Sequence, residues 1–138
     1  MNLVCRKARL RGAVDIPGSK SHTIRAVAIA SLADGESRIE QPLESGDARS
    51  AVSTFTALGA QIDCRPDVWT VQGVGGELRV PDNVVDVANS GTTLNIALGS
   101  AALLRKGLVV FTGDEQIRRR PSGPLLAALN DLGASSEA

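Results

Sequence analysis

A chain of 138 residues, 43% hydrophobic and 22% charged, has the length and composition of a globular protein with one buried core. Fifteen basic residues cancel fifteen acidic ones, and Phe55, Trp69 and Phe111 are the only aromatics, so neither a one-signed field nor a base-stacking surface argues for nucleic acid or a charged membrane. No apolar run reaches membrane-span length, the start lacks a signal-peptide core, and Cys5 and Cys64 stand singly without metal-ligand spacing; the expected setting is the cytoplasm, with reduced thiols.

Residues 3 to 16 read as one or two short strands broken at Gly12, running into a Pro17-Gly18 corner. A helix follows over 21 to 33, with Ile24, Val27, Ala28, Ile29 and Leu32 spread around much of its circumference, the pattern of a helix buried on several sides. Asp34-Gly35 stops it, and 36 to 40 alternates as a strand. Ser45-Gly46-Asp47 supplies capping chemistry for a second helix carrying Ala48, Ala51, Val52, Phe55 and Leu58, closed by Gly59. Residues 60 to 64 and 68 to 72 then form a hairpin around Arg65-Pro66-Asp67.

The same order recurs. Residues 78 to 80 are strand-like, 89 to 93 form a small-polar turn, and an apolar helix runs to Leu104. Gly107 and a strand over 108 to 112 follow, and Pro121 opens a last helix with Leu125, Leu126, Leu129 and Leu132, closed by Gly133. Ser19 to Arg25 overlays Asn89 to Asn95 at an offset of 70 residues, and Leu58-Gly59-Ala60 overlays Leu132-Gly133-Ala134 at 74. Such self-similarity predicts an α/β fold of repeated β-α-β-α-β-β units. The expected organisation is opening strands over 1–16, a first unit over 17–76 and a second over 77–138. After Leu-Gly-Ala the first unit continues into two strands, whereas only Ser135-Ser136-Glu137-Ala138 follows in the second. The expectation is therefore a partial N-terminal substrate-binding region of a longer protein, its second unit truncated.

Three polar stretches carry the chemistry. In Pro17-Gly18-Ser19-Lys20-Ser21-His22-Thr23-Ile24-Arg25, a lysine and hydroxyls stand beside the free N–H groups of a helix start, which suits a phosphate or carboxylate oxygen, and Arg25 returns to the face of Ser21 one turn later. The plainer alternatives are a solvated Lys20, with Ser21 and Thr23 as caps. Asn89-Ser90-Gly91-Thr92-Thr93 repeats the arrangement, with Gly91 open to close approach; on composition alone it is a turn with capping hydroxyls. Residues 113 to 121 place Arg118, Arg119 and Arg120 before a helix, of which at most one or two can line a site, since consecutive side chains diverge. His22, the only histidine, reads as a surface residue, and only Gly18 of the glycines a Walker loop needs is present. From the residues alone, the chain is an α/β domain holding a small polyanion at paired helix starts.

Together, Pro17-Gly-Ser-Lys-Ser-x-x-x-Arg25, Asn89-Ser-Gly-Thr-Thr93 and Gly113-Asp to Arg120-Pro121, in order and in spacing, resemble the N-terminal part of the 5-enolpyruvylshikimate-3-phosphate synthase family. The resemblance implies an inside-out α/β barrel fold of β-α-β-α-β-β units, incomplete here at its C-terminus. It also implies transfer of enolpyruvyl from phosphoenolpyruvate to shikimate 3-phosphate by addition and elimination, a shikimate-pathway step on which glyphosate competes, with no metal or organic cofactor. By position, it implies that Lys20 contacts both substrates and moves a proton. Ser21, Arg25 and Thr92 would hold shikimate 3-phosphate; Asn89, Gly91 and Arg120 would surround phosphoenolpyruvate; Asp47 would adjoin the site. Asn95 stands where many members carry arginine, which puts the affinity for phosphoenolpyruvate or glyphosate in question.

Members are roughly three times longer, so the 138 residues alone are expected to show no turnover, and their open sheet edges and apolar faces are expected to favour self-association. The alternatives are the related transferase that acts on UDP-N-acetylglucosamine, which the Pro-Gly-Ser-Lys-Ser start disfavours, and a non-catalytic anion-binding or interaction module.

Overall fold

Ser19 is extended, and its hydroxyl accepts a hydrogen bond from the His22 amide at 3.4 Å, so the Pro17-Gly18 corner delivers the chain to a capped helix start. From there the computed structural model, which describes residues 3–138, runs α1 (Lys20–Leu32), β1 (Glu36–Glu40), α2 (Gly46–Ala57), β2 (Gln61–Arg65), β3 (Val68–Gln72), β4 (Val85–Asp86), α3 (Gly91–Ala101), β5 (Phe111–Thr112), α4 (Glu115–Arg118) and α5 (Gly123–Asp131).

The three longer strands form one antiparallel sheet in the order β1-β3-β2, with both Ile39 and Cys64 opposite Trp69. Trp69 and Val71 of the central strand are buried, and α1 and α2 cover that face through Ile24, Val27, Ala28, Ala48, Ala51, Phe55 and Leu58. Large side chains of this kind each contribute roughly 1.5–3 kcal/mol on burial. Helix α1 packs against α2, α3, β1 and β3 together, which explains its wide buried surface; Ile29, at 69% exposure, is the apolar residue left outside. A smaller cluster of Val87, Leu94 and Ile117, with Leu98 and Phe111 packed against it, joins α3 and α4 to the chain around the parallel β4–β5 pair.

The internal repeat is visible in three dimensions. Thr23-Ile24-Arg25 and Thr93-Leu94-Asn95 both run buried, buried, exposed. At the helix ends, Ala60 donates to Phe55 and Gly59 to Thr56, while Ala134 donates to Leu129 and Gly133 to Asn130, the same pair of bonds 74 residues apart. Both are Schellman endings, and the glycines (φ 119° and 99°) take the left-handed conformation that the motif requires.

Several expectations need correction. Residues 3 to 16 form no strand: among the described residues no neighbouring edge pairs with them, and Leu10, Val14 and Ile16 are 93%, 80% and 80% exposed, so a strand-like sequence without a partner makes no ladder. Residues 78 to 80 are likewise not a strand, because Arg79 bonds through both its amide and its guanidinium to the carbonyls of Leu58 and Ala57 at the end of α2. The strand over 108 to 112 shrinks to two residues, matching its two-residue partner β4, which the sequence reading missed. The third helix ends at Ala101 rather than Leu104, and α4 occupies the expected loop after β5. The last helix then starts at Gly123, with Pro124 in the first turn. The four residues after Gly133–Ala134 add no strand; Ser136 instead folds back onto the Asn130 side chain.

Cys5 and Cys64 are free, and His22 is exposed. Among the described residues no helix is long and apolar enough to cross a membrane, and no group of His, Cys, Asp and Glu could hold a metal ion.

Candidate anion-binding site

Helices α1, α2 and α3 each start behind a serine N-cap, respectively Ser19, Ser45 and Ser90, whose hydroxyl accepts the amide three residues on. In each case the first amides of the helix remain without an intrahelical partner, and the positive ends of the three dipoles gather where the helices pack together. Capping therefore falls to Ser19 rather than to Ser21 or Thr23. Thr23 Oγ1 donates to the Ser19 carbonyl at 3.0 Å and accepts the Leu43 amide at 2.9 Å, which makes it a buried structural clamp. Gly18 adjoins the same clamp: a β-carbon there would lie 2.5 Å from the Gln41 carbonyl oxygen.

Two contacts tie the helix starts together. Lys20 Nζ lies 3.0 Å from Asp47 Oδ2, joining α1 to α2, and the buried Thr93 hydroxyl donates to the Asp47 carbonyl at 3.4 Å, joining α3 to α2. Thr93 Oγ1 also lies 2.7 Å from Ser90 Oγ. Ser21 is half-buried, and its carbonyl accepts from Arg25 Nη1 at 3.0 Å, so Arg25 returns to the start of its own helix. Thr92 is half-buried and Asn95 exposed on α3, the latter one turn beyond Gly91.

Arg120 completes the group. Of the three consecutive arginines, Arg118 ends α4 and Arg119 pairs with Glu115, while Arg120 reaches α3: a β-carbon on Gly91 would sit 2.5 Å from Arg120 Nη1. Gly91 therefore admits the arginine itself against the helix start. Among the described residues no ion pair involves Arg120 or Arg25, which leaves two guanidinium groups available to an anion. Asn89 gives its side-chain amide to Asp114 Oδ2. The Asp114 carboxyl is held below the ordinary carboxylate value, first by the Ile117 amide; desolvation opposes this, and the Asn89 and Gln116 hydrogen bonds and the nearby Arg118 charge add to the lowering.

The left-handed non-glycine residues Gln41 (φ 50°) and Ala88 (φ 49°) lie in the loops that adjoin Gly18 and precede Asn89. Such conformations cost on the order of 1–2 kcal/mol and concentrate where geometry matters more than comfort. Two shallow concavities, one between residues 76–80 and 103–106 and one beside β2 and β3, contain none of these groups. The joined helix starts and unpaired cations lie on an open face rather than in either concavity. Ser19, Ser90, Thr93 and Asp114 lie inside the three polar stretches, and capping hydroxyls were expected over 89–93, but no site role was read for these four; the N-cap pattern of a small polar residue before an apolar helix was the available signal.

The family model described as EPSP synthase (3-phosphoshikimate 1-carboxyvinyltransferase) matches residues 4–138. A 3-phosphoshikimate 1-carboxyvinyltransferase of Acetivibrio thermocellus is 55% identical over 136 residues, 99% of this chain and 32% of that protein. Another, from Methanocaldococcus jannaschii, is 50% identical over 132 residues, 94% of this chain and 30% of that protein. EPSP synthase from Acinetobacter baumannii superposes with a TM-score of 0.83 at 28% identity, over 90% of this chain and 28% of that structure. The chain thus spans about a third of the length of the relatives it matches.

Proposed function

The chain belongs to the EPSP synthase (3-phosphoshikimate 1-carboxyvinyltransferase) family, and on that premise we propose that its joined helix starts form one wall of a site for phosphoenolpyruvate and shikimate 3-phosphate. The observation that carries this reading is the junction of α1, α2 and α3 through Lys20, Asp47 and Thr93, with the unpaired Arg120 laid on Gly91. Residues 17–76 and 77–138 act as two copies of one unit, and each contributes a helix start.

In the reaction, the 5-hydroxyl of shikimate 3-phosphate adds to C2 of phosphoenolpyruvate while C3 takes up a proton, giving a tetrahedral ketal phosphate. Phosphate then leaves C2 as a proton leaves the new methyl group, which restores the double bond on the transferred enolpyruvyl. The chemistry is polar throughout and calls for no cofactor. Lys20 touches both substrates and moves a proton, held in place by Asp47. Ser21, Arg25 and Thr92 bind shikimate 3-phosphate; Asn89, Gly91 and Arg120 bind phosphoenolpyruvate, with Asn95 nearby. Charge-assisted contacts of this class are short and strong. Two free thiols fit a cytoplasmic setting.

The open face does not exclude water, and low-dielectric enclosure is what makes preorganised charges effective. The 138-residue chain is therefore expected to bind without turnover. Titration calorimetry with shikimate 3-phosphate, with and without phosphoenolpyruvate, tests the reading; UDP-N-acetylglucosamine should give no heat. A folded chain silent to both phosphorylated substrates would overturn it.

A further inference from the structure

The loop before α3 and the loop after β5 are stitched together at one residue. Asp114 donates its amide to the Ala88 carbonyl at 2.8 Å, accepts the Asn89 side-chain amide on Oδ2, and accepts the Ile117 amide on Oδ1 at 2.9 Å as the N-cap of α4. Ala88 is itself held left-handed, with its amide donated to Asp86 Oδ1 at 2.8 Å. Gly113 permits the approach, since a β-carbon there would lie 2.7 Å from the Ala88 carbonyl oxygen. One turn beyond, Ile117 is buried against Val87 and Leu94, and its carbonyl accepts the Arg120 amide at 3.0 Å, which starts Arg120 on its path to Gly91.

We propose that Asp114 is the positioning residue of this half of the site: one oxygen fixes the Asn89 amide while the other starts the turn that delivers Arg120 to Gly91. A carboxylate only accepts hydrogen bonds, so it dictates which end of the Asn89 amide faces it. Asn89 keeps its oxygen and one N–H for a ligand, and the two phosphoenolpyruvate-binding side chains are aligned by a single group. The inference deepens the proposed function and rests on it.

Two substitutions separate positioning from folding. Asp114→Ser keeps a cap of comparable strength but has no second oxygen for Asn89, whereas Asp114→Glu keeps a carboxylate in reach of Asn89 and caps less well. Binding of phosphoenolpyruvate to the 138-residue chain, in the presence of shikimate 3-phosphate, is read by calorimetry, with melting temperature followed in parallel. Asp114→Ser is expected to weaken binding roughly tenfold while the melting temperature falls no further than in Asp114→Asn and the chain stays folded at the assay temperature, through loss of alignment, and Asp114→Glu to retain most of the affinity. The ¹⁵N signal of the Asn89 side-chain amide should shift on Asp114→Ser and stay on Asp114→Glu. Affinity that follows the cap instead (Ser retained, Glu lost), or that changes with neither variant while Arg120→Ala still abolishes it, overturns the inference and leaves the functional reading standing. Absence of binding by the parent chain would overturn both.

Discussion

Lys20 Nζ and Asp47 Oδ2, 3.0 Å apart, join the first turn of α1 to the first turn of α2. Their side chains are 49% and 27% exposed, so the pair contributes little to stability, under about 1 kcal/mol. Its value lies in holding the ammonium beside three helix starts. Lys20→Met should leave the denaturation midpoint nearly unchanged and weaken shikimate 3-phosphate binding by at least about tenfold, the scale of a lost charged hydrogen bond. Urea titration and calorimetry on the same samples check both halves; a large loss of stability with intact binding would contradict the assignment.

Gly91→Ala sets helix propensity against the site. Alanine in the first turn of α3 is neutral or favourable for folding by up to about 1 kcal/mol, but its β-carbon displaces the end of Arg120. The melting temperature should hold or rise while phosphoenolpyruvate affinity falls roughly tenfold or more, through misplacement of the guanidinium. Unchanged affinity would mean that Arg120 does not need to lie on Gly91.

Asp114 has a folded-state pKa below its ordinary value, so it binds its proton less tightly in the native state than when unfolded. Its stabilising contribution is thus fully present above the ordinary carboxylate pKa of about 4 and is lost as pH falls through the lowered folded value. Melting curves of the parent and of Asp114→Asn should differ by a constant amount above about pH 5 and converge in acid. A difference that grows on acidification would reverse the assigned sign.

Burial raises the pKa of Cys64, with nearby Asp63 adding to the effect and Arg49 opposing it, while Cys5 is exposed. Thiolate is the reactive form, so iodoacetamide at pH 8 should label Cys5 first. Peptide mapping over time would show the order, and equal rates would contradict it.

Strands β1 and β2 are sheet edges, and Leu10, Val14 and Ile16 are exposed. Open edges and unburied apolar side chains are what natural sheets protect against association. Reversible self-association is the expected behaviour in solution, seen as concentration-dependent elution. A monomeric profile across the micromolar range would refute it.

Much of the fold was legible because local rules act within a few residues. The strand 36–40 matches its observed limits and the first two helices agree within a residue or two, because a small-polar turn and the Ser45 cap open them, and Asp34-Gly35 and Gly59 stop them. The second half was less legible. Strand β4 has two residues and no periodicity, and α4 lies among Glu115, Gln116 and Arg118, which read equally well as a loop. Residues 3 to 16 read as short strands, but pairing depends on a neighbouring edge that local sequence does not supply.

From its sequence alone the chain determines helix starts with small-polar caps, a duplicated unit and three polar stretches whose residue types suit anions, because capping, periodicity and charge are carried by near neighbours. Tertiary structure alone decided that Lys20 meets Asp47, that Arg120 rather than Arg118 or Arg119 lies on Gly91, and that Asp114 holds Asn89. Those contacts join residues 25 to 29 positions apart. Their geometry is set by how α1, α2 and α3 pack and how the loop after β5 folds over them, which no local pattern encodes.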